Sequence, residues 1–223
     1  MASITYTTPN IRLLDQRQEQ SNPNDDCVFE SDAMAVNALV VGANMNATKI
    51  KAMDNDYGPQ YVGFASQAAL VDTLAKLGVT MVRVAHPTQQ QLIDELHWQI
   101  EHYHHPCIVT MPSQWNSAPT VKGYSPRAYR GYSHVGLMCG SGPGMLRCAN
   151  PWGGFFQDQT DAWWAQRLLM GEIWVASKTP VAPGPVAASP KPSPIVAANP
   201  VTAPVATVEE LQAKISAAVK ALQ

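Results

Sequence analysis

The stretch SNPNDDCVFESDAMAVNALVV, residues 21–41, decides how this chain folds. Its turn-prone first half leads into an apolar run from Val28 to Val41, which predicts a buried helix beginning near Asp26. Cys27 therefore falls in the first helical turn, where unpaired backbone N–H groups and the positive end of the helix dipole favour the thiolate. Asp26 is expected to cap the helix, although its negative charge opposes thiolate formation. The alternative is that Cys27 is a small buried core residue, as most free cysteines are.

The rest of the pattern predicts an α+β fold in which helices pack on an antiparallel sheet. Apolar periodicity and stop signals predict further helices, and β-branched runs predict strands. The expected helices are 47–54, 66–77, 88–103 and 161–170, and the expected strands are one near Tyr6, then 79–84, 107–111, 134–139, 145–149 and 172–177. A capping Thr88 and an apolar stripe of Leu92, Ile93, Leu96 and Ile100 mark the third long helix.

The glycine-rich turn at 140–144 predicts a hairpin that carries two polar candidates. His134 begins the first strand of this hairpin and Asn150 follows the second, so the turn itself brings the two residues together. A histidine there could act as a general base, and an asparagine could orient the imidazole by accepting its second N–H. The alternatives are a structural histidine and an ordinary strand-ending turn. Upstream of the cysteine, Gln18 and the better-spaced Gln20 could donate to an oxyanion.

Taken together, these motifs resemble the papain-like cysteine peptidases of the bacteriocin-processing, double-glycine leader class. The motifs are Gln20, the Asp26-Cys27 helix start, Pro106-Cys107-Ile108-Val109, Ser133-His134-Val135-Gly136-Leu137, and Ala149-Asn150-Pro151-Trp152. The resemblance covers residues 5–177. Two features differ from the family: Val28-Phe29-Glu30 follows the cysteine in place of glycine and small residues, and the glutamine lies one residue further upstream than usual.

The resemblance implies a papain-like fold and a peptidase or amidase that uses Cys27, His134, Asn150 and Gln20. Among family members the chain looks most like free-standing phage lysins and cell-wall hydrolases, which implies peptidoglycan cross-links as substrate. One alternative is a non-catalytic phage structural or adaptor protein that keeps the fold. A transglutaminase-like acyl transferase is another, because the same triad supports acyl transfer to an amine.

Composition narrows the classes of function that the chain can serve. The net charge is −2 and no basic cluster is present, which argues against nucleic-acid binding. No apolar run reaches membrane-spanning length and the N-terminus lacks a signal-peptide pattern, so synthesis in the cytoplasm is expected, with a virion or the cell wall as the place of action. The spacing of the four cysteines fits no zinc or redox motif, and Cys139 and Cys148 read as two reduced thiols, a cross-hairpin disulfide being the alternative.

A composition change at Lys178 predicts three parts: a peptidase domain at 1–178, a linker at 179–206 and an amphipathic helix at 207–223. Eight of the eighteen prolines lie between Pro180 and Pro204, which predicts a semi-rigid, polyproline-like spacer. The terminal helix has a short coiled-coil seam for docking or self-association, with a frayed tail as the alternative. The seam residues are Val208, Leu211, Ile215, Ala218 and Leu222.

Four histidines crowd the end of the third long helix, at positions 97, 102, 104 and 105. They lack the H-E-x-x-H spacing of a zinc peptidase, and histidine is favoured near a helix C-terminus by the dipole alone. The sequence therefore predicts neither a metal site nor a cofactor.

Overall fold

The computed structural model describes residues 3–18, 26–61, 65–86, 88–112, 133–168 and 172–178. Within these ranges the helices are α1 Cys27–Leu39, α2 Ala47–Met53, α3 Val71–Lys76, α4 Gln89–Tyr103 and α5 Asp161–Ala165. The strands are β1 Tyr6–Thr7, β2 Thr80–Ala85, β3 Cys107–Pro112, β4 Ser133–Gly142, β5 Met145–Asn150, β6 Phe155–Thr160 and β7 Glu172–Ser177. The α+β class is confirmed.

The strands of this part of the chain form one antiparallel sheet in the order β2-β7-β3-β4-β5-β6. The short β1 pairs with β4 through Tyr6 and Ser141. The hairpin of β4 and β5 aligns Leu137 with Ala149 and has a register shift between Met138 and Gly140. Its turn is tighter than the sequence suggested, because β4 continues to Gly142 and only residues 143 and 144 remain between the strands.

Two hydrophobic cores pack against the sheet. One joins α1 to strand residues such as Val135 and Leu137, and Phe29 of α1 is completely buried in it. The other joins α4 to Met138 and Trp164. All four residues of the predicted α4 stripe are fully buried, and Thr88 caps the helix by accepting a hydrogen bond from the Gln91 N–H at 3.2 Å. The sheet therefore presents its α1 side and its α4 side to separate layers.

The two hairpin cysteines lie in different cores, Cys139 in the α1 core and Cys148 in the α4 core. All four cysteines are free thiols. The alternative of a disulfide across the hairpin is therefore wrong, because Cys148 pairs with Met138 and the next residue on β4, Cys139, projects to the opposite face of the sheet.

Other elements differ from the sequence prediction. The helix expected at 66–77 is a 3-10 turn over Gln67–Leu70 followed by the short α3. Strand β6 was not predicted, and α5 ends at Ala165, five residues before the predicted end. The linker at 179–206 and the helix at 207–223 lie outside the described residues. Across the described ranges no helix is both long enough and apolar enough to cross a membrane.

Candidate active site

Cys27 is the first residue of α1 and is 4% exposed. Asp26 occupies the N-cap position, but its side chain makes no capping hydrogen bond, so that expectation is wrong. The Asp26 carboxylate instead forms an ion pair with Lys51 Nζ at 2.6 Å, and both side chains are fully buried. The physical reason is that an ammonium group satisfies a buried carboxylate better than neutral N–H donors do.

His134 and Asn150 are joined by a hydrogen bond of 2.9 Å between His134 Nε2 and Asn150 Oδ1. Both residues are buried, with His134 only 3% exposed. Asn150 Oδ1 also accepts the backbone N–H of Trp152 at 2.9 Å, which ties the side chain to the turn after β5. The hairpin thus brings together the two residues that the sequence placed at its base.

These two bonds define the protonation of the imidazole. The Trp152 N–H can only donate, so the Asn150 atom that it meets is the oxygen and not the amide nitrogen. An amide oxygen can only accept, so His134 Nε2 must carry a proton. Burial lowers the pKa of His134 to about 4, against the opposing effect of the Asn150 bond. At neutral pH the ring is therefore uncharged and has its lone pair on Nδ1, the arrangement that a general base requires.

Cys27 opens into a cleft of about 480 Å³ between α1, residues 65–68 just before α3, and the sheet. Val135, the residue after His134, lines the same cleft, whereas the side chain of His134 is not part of the lining. The wall is mainly apolar, and an Arg83–Glu172 ion pair contributes its charged part. The lining comprises Cys27, Val28, Ala65, Ser66, Gln67, Ala68, Arg83, Ile108, Thr110, Val135, Glu172 and Trp174.

The N-terminal arm supports the turn that carries Asn150. The Gln16 N–H donates to the Pro151 carbonyl at 2.9 Å, and the Gly153 N–H donates to Asp15 Oδ1 at 3.0 Å. Arg17 binds the same carboxylate and holds the pKa of Asp15 below its usual value. Gly153 has φ of 106°, a conformation that favours glycine. This support was missed, although the Gly153-Gly154 pair was a signal for a tight turn.

Two buried polar residues near the cysteine were also missed from the sequence. Lys51 has no local signature, because a lysine on a short helix reads as a solvent-exposed residue. Asp32 lies on α1, where burial raises the pKa of its carboxyl to about 8 although Gln67 donates a hydrogen bond to it at 2.8 Å. Gln67 in turn lines the cleft beside Cys27.

The structure describes only one of the two glutamines that were predicted as oxyanion donors. Gln20 lies outside the described residues, so its role as an oxyanion donor stays a prediction. Gln18 is described, and it is an exposed residue at the end of a 3-10 turn spanning Gln16–Gln18.

The four histidines near the end of α4 make separate hydrogen bonds rather than converging. His97 bonds Ser141 Oγ and Asp161 Oδ1, His102 the Trp98 carbonyl, His104 the Thr7 carbonyl, and His105 the Gln99 Oε1. Among the residues that the structure describes, no group of three or more His, Cys, Asp or Glu side chains is placed to hold a metal ion.

Comparison with known proteins gives structural matches without sequence matches. No protein-family model matches the chain, and no curated protein matches it. A C39-like peptidase from Bacillus anthracis superposes with a TM-score of 0.57 at 12% identity, over 80% of this chain and 100% of that one. The peptidase domain of Streptococcus ComA, a bifunctional ABC transporter involved in quorum sensing, gives 0.50 at 14% identity, over 76% and 99%. A double-glycine motif protease from an AMS/PCAT transporter, solved with its leader peptide, gives 0.50 at 10% identity, over 79% and 99%.

The class that this architecture defines is the papain-like fold, in which a helix bearing the cysteine packs on an antiparallel sheet. Within that class, the chain has the fold of the C39-like and double-glycine peptidase domains. The resemblance inferred from the sequence motifs is confirmed at the level of the fold.

Proposed function

We propose that this protein is a cysteine peptidase or amidase that uses Cys27 as nucleophile, His134 as general base and Asn150 as the residue that orients the imidazole. One observation carries the proposal. The bond from His134 Nε2 to Asn150 Oδ1 leaves a lone pair on His134 Nδ1, and the next residue on β4, Val135, lines the Cys27 cleft. A C39-type fold around that arrangement supports peptide-bond chemistry.

The proposed reaction has two halves, and His134 Nδ1 handles the proton in each. In the first, Nδ1 takes the Cys27 proton, Sγ attacks the amide carbonyl carbon, and the proton passes to the leaving amine as the C–N bond breaks. This leaves a thioester. In the second, Nδ1 takes a proton from water, hydroxide attacks the thioester carbonyl, and the returned proton regenerates the thiol. The backbone N–H of Cys27 and the Gln20 amide are the proposed donors to the oxyanion.

The proposed substrate is a peptide, and the cross-links of peptidoglycan are its proposed source. The largely apolar cleft suits a peptide side chain beside the scissile bond, and one structural neighbour was solved with a bound leader peptide. The cell-wall assignment rests on the sequence plan of a catalytic domain, a proline-rich tether and a terminal docking helix, as in phage-type lysins. Action at the cell wall, or from a virion, follows from the same plan.

A second candidate is favoured by one observation. His134 is 3% exposed and the cleft is lined by Val135 rather than by His134. A histidine that never reaches Cys27 Sγ would leave a papain-like scaffold without catalysis, suited to a structural or adaptor role with assembly through Val208, Leu211, Ile215 and Leu222.

Alkylation of Cys27 by iodoacetamide against pH, read by mass spectrometry, separates the two candidates. The peptidase predicts a thiol that reacts well below pH 7 in the parent and loses this reactivity in His134→Ala. A scaffold predicts an ordinary midpoint near 8.5 that His134→Ala does not move. The other described cysteines serve as internal controls, because burial raises the pKa of Cys107, Cys139 and Cys148 far above the ordinary thiol value.

Substrate assays then separate the proposed sources of the peptide. Purified peptidoglycan and a synthetic double-glycine peptide would be incubated with the parent and with Cys27→Ala, and new amino termini counted. Release from peptidoglycan by the parent alone supports the cell-wall assignment. Cleavage of the double-glycine peptide alone would reject that assignment while keeping the peptidase. Incorporation of an added amine would indicate acyl transfer.

A further inference from the structure

The residue before the nucleophile presents an electrostatic problem. Asp26 is fully buried and directly precedes Cys27, so an unbalanced carboxylate there would oppose the thiolate on which the proposed reaction depends. Because the carboxylate is shielded from solvent, its field on a neighbouring sulfur would be strong. The helix dipole favours the thiolate, but a nearby buried charge of the same sign works against it.

The Lys51 side chain, on α2, is placed against this carboxylate. Its Nζ lies 2.6 Å from Asp26 Oδ1 and 5.3 Å from the centre of the Phe29 ring. Nζ also donates to the Tyr61 carbonyl at 3.4 Å. Phe29 packs edge-on to Tyr57, with ring centres 5.3 Å apart, and Tyr57 packs on Tyr61 at 4.6 Å. The ammonium group therefore lies over the Phe29 ring of an aromatic cluster, and the ion pair is closed off from solvent.

We propose that Lys51 is a positioning residue that neutralises Asp26 and so allows Cys27 to ionise. The inference rests on the proposed function, in which Cys27 reacts as a thiolate. Lys51 touches neither the substrate nor the sulfur in this proposal. It acts through Asp26, and the pair behaves as a neutral unit at the start of α1.

Other titratable groups lie on α1, on the strand packed against it and in the cleft wall, and the test leaves them unchanged. Glu30 and Asp32 are buried on α1 itself, and His134 lies on β4, which packs against α1. Arg83 and Glu172 form their own ion pair in the cleft wall. None of these groups is altered in the variants, so any difference between the variants reports on Asp26 and Lys51.

The test is the pH midpoint of Cys27 alkylation by iodoacetamide in Lys51→Gln, Asp26→Asn and the double variant. Lys51→Gln keeps an N–H donor but leaves the carboxylate unbalanced, and it should raise the midpoint by about one pH unit or more, roughly a tenfold loss of rate at a fixed pH below it. Asp26→Asn leaves the ammonium unbalanced and should lower the midpoint. The double variant, a neutral pair of amides, should return it close to the parental value.

Opposite shifts distinguish this role from a merely structural one, because loss of packing alone would move both single variants in the same direction. Shifts of the same sign, or an unmoved midpoint in Lys51→Gln, would overturn the proposal. If Lys51→Gln fails to fold, as judged by circular dichroism, Asp26→Asn is compared with the double variant. Removing Lys51 in that background must raise the midpoint, and no rise would overturn the proposal.

Lys49 provides the matched control. It lies two residues away on α2, is exposed, and bonds the Asn44 carbonyl, so Lys49→Gln should leave the midpoint unchanged. The alkylation midpoint of the parent tests the activated cysteine separately from the proposed role of Lys51. A parental midpoint near 8.5 would reject an activated cysteine, yet the opposite shifts of the two single variants could still be measured around that value.

Discussion

Replacing Asn150 by alanine tests whether the asparagine orients the proposed base. The side chain is fully buried and accepts two hydrogen bonds of 2.9 Å, one from His134 Nε2 and one from the Trp152 N–H. Alanine removes the acceptor and leaves the buried imidazole N–H without a partner. An unsatisfied buried donor costs about 1–3 kcal/mol. Trp152 is half-buried, so water can partly compensate its backbone N–H for the lost acceptor.

This cost sets the expected size of the effect. If the whole free-energy cost disfavours the productive orientation of the imidazole, Cys27 alkylation at pH 6 slows by about 5- to 150-fold. If it is also expressed as lost stability, the melting temperature falls by about 2–12 °C for a domain of this size. Alkylation followed by mass spectrometry and thermal unfolding followed by circular dichroism measure the two effects separately.

Asn150→Asp is the matched control, because a carboxylate accepts both hydrogen bonds. Its negative charge should raise the pKa of His134 from about 4, an effect that NMR titration of the ring protons can follow. The alkylation rate near neutral pH should stay within a few-fold of the parent. Parental alkylation in Asn150→Ala, in a variant whose His134 Nε2 proton signal has changed, would refute the claim that this bond orients the base.

Three further outcomes follow from the structure. The melting temperature of Asp32→Asn should rise relative to that of the parent as the pH increases from 5 to 8. The pKa of Asp32 is raised to about 8, so the folded parent must hold a proton that the unfolded chain releases near pH 4, and the parent loses stability over this range. A difference in melting temperature that stays constant with pH would contradict this assignment. Gly136→Ala should destabilise the fold by about 1–3 kcal/mol in urea unfolding, because the new Cβ would lie 2.7 Å from Cys148 Sγ and 3.0 Å from Met111 Cε. Oxidation of the folded protein with diamide should not link Cys139 to Cys148, which lie in separate cores; a linked peptide pair in the mass spectrum would show that the hairpin register is wrong.

Local signals explain what the sequence predicted well. Helix α4 follows from an unbroken apolar stripe and a capping threonine, and all four stripe residues are fully buried. The approach of His134 to Asn150 follows from a hairpin, because two strands joined by a tight turn must lie side by side. Both inferences need only residues that are close in sequence or linked by one turn.

The features that the sequence did not predict lack a clear local signal. Strand β6 lies at the edge of the described sheet, and exposed Phe155 and Phe156 in succession break the alternation that marks a half-buried strand. The Asp26–Lys51 pair joins two separate helices, and a lysine in a core leaves no trace in the local pattern. Asp26 resembled a helix cap because that is the local role of an aspartate before a helix, whereas the tertiary fold gives it a different partner.

The order of the proposed catalytic residues along the chain has a consequence for synthesis. Cys27 precedes Asn150 by 123 residues, so at about 5–20 residues per second the ribosome makes the cysteine roughly 6–25 s before the asparagine. For most of that interval, until His134 has been made, the nascent chain has the thiol without the proposed base, and β4 is not yet available for α1 to pack against. During this part of synthesis the proposed nucleophile is therefore present without the base that would activate it.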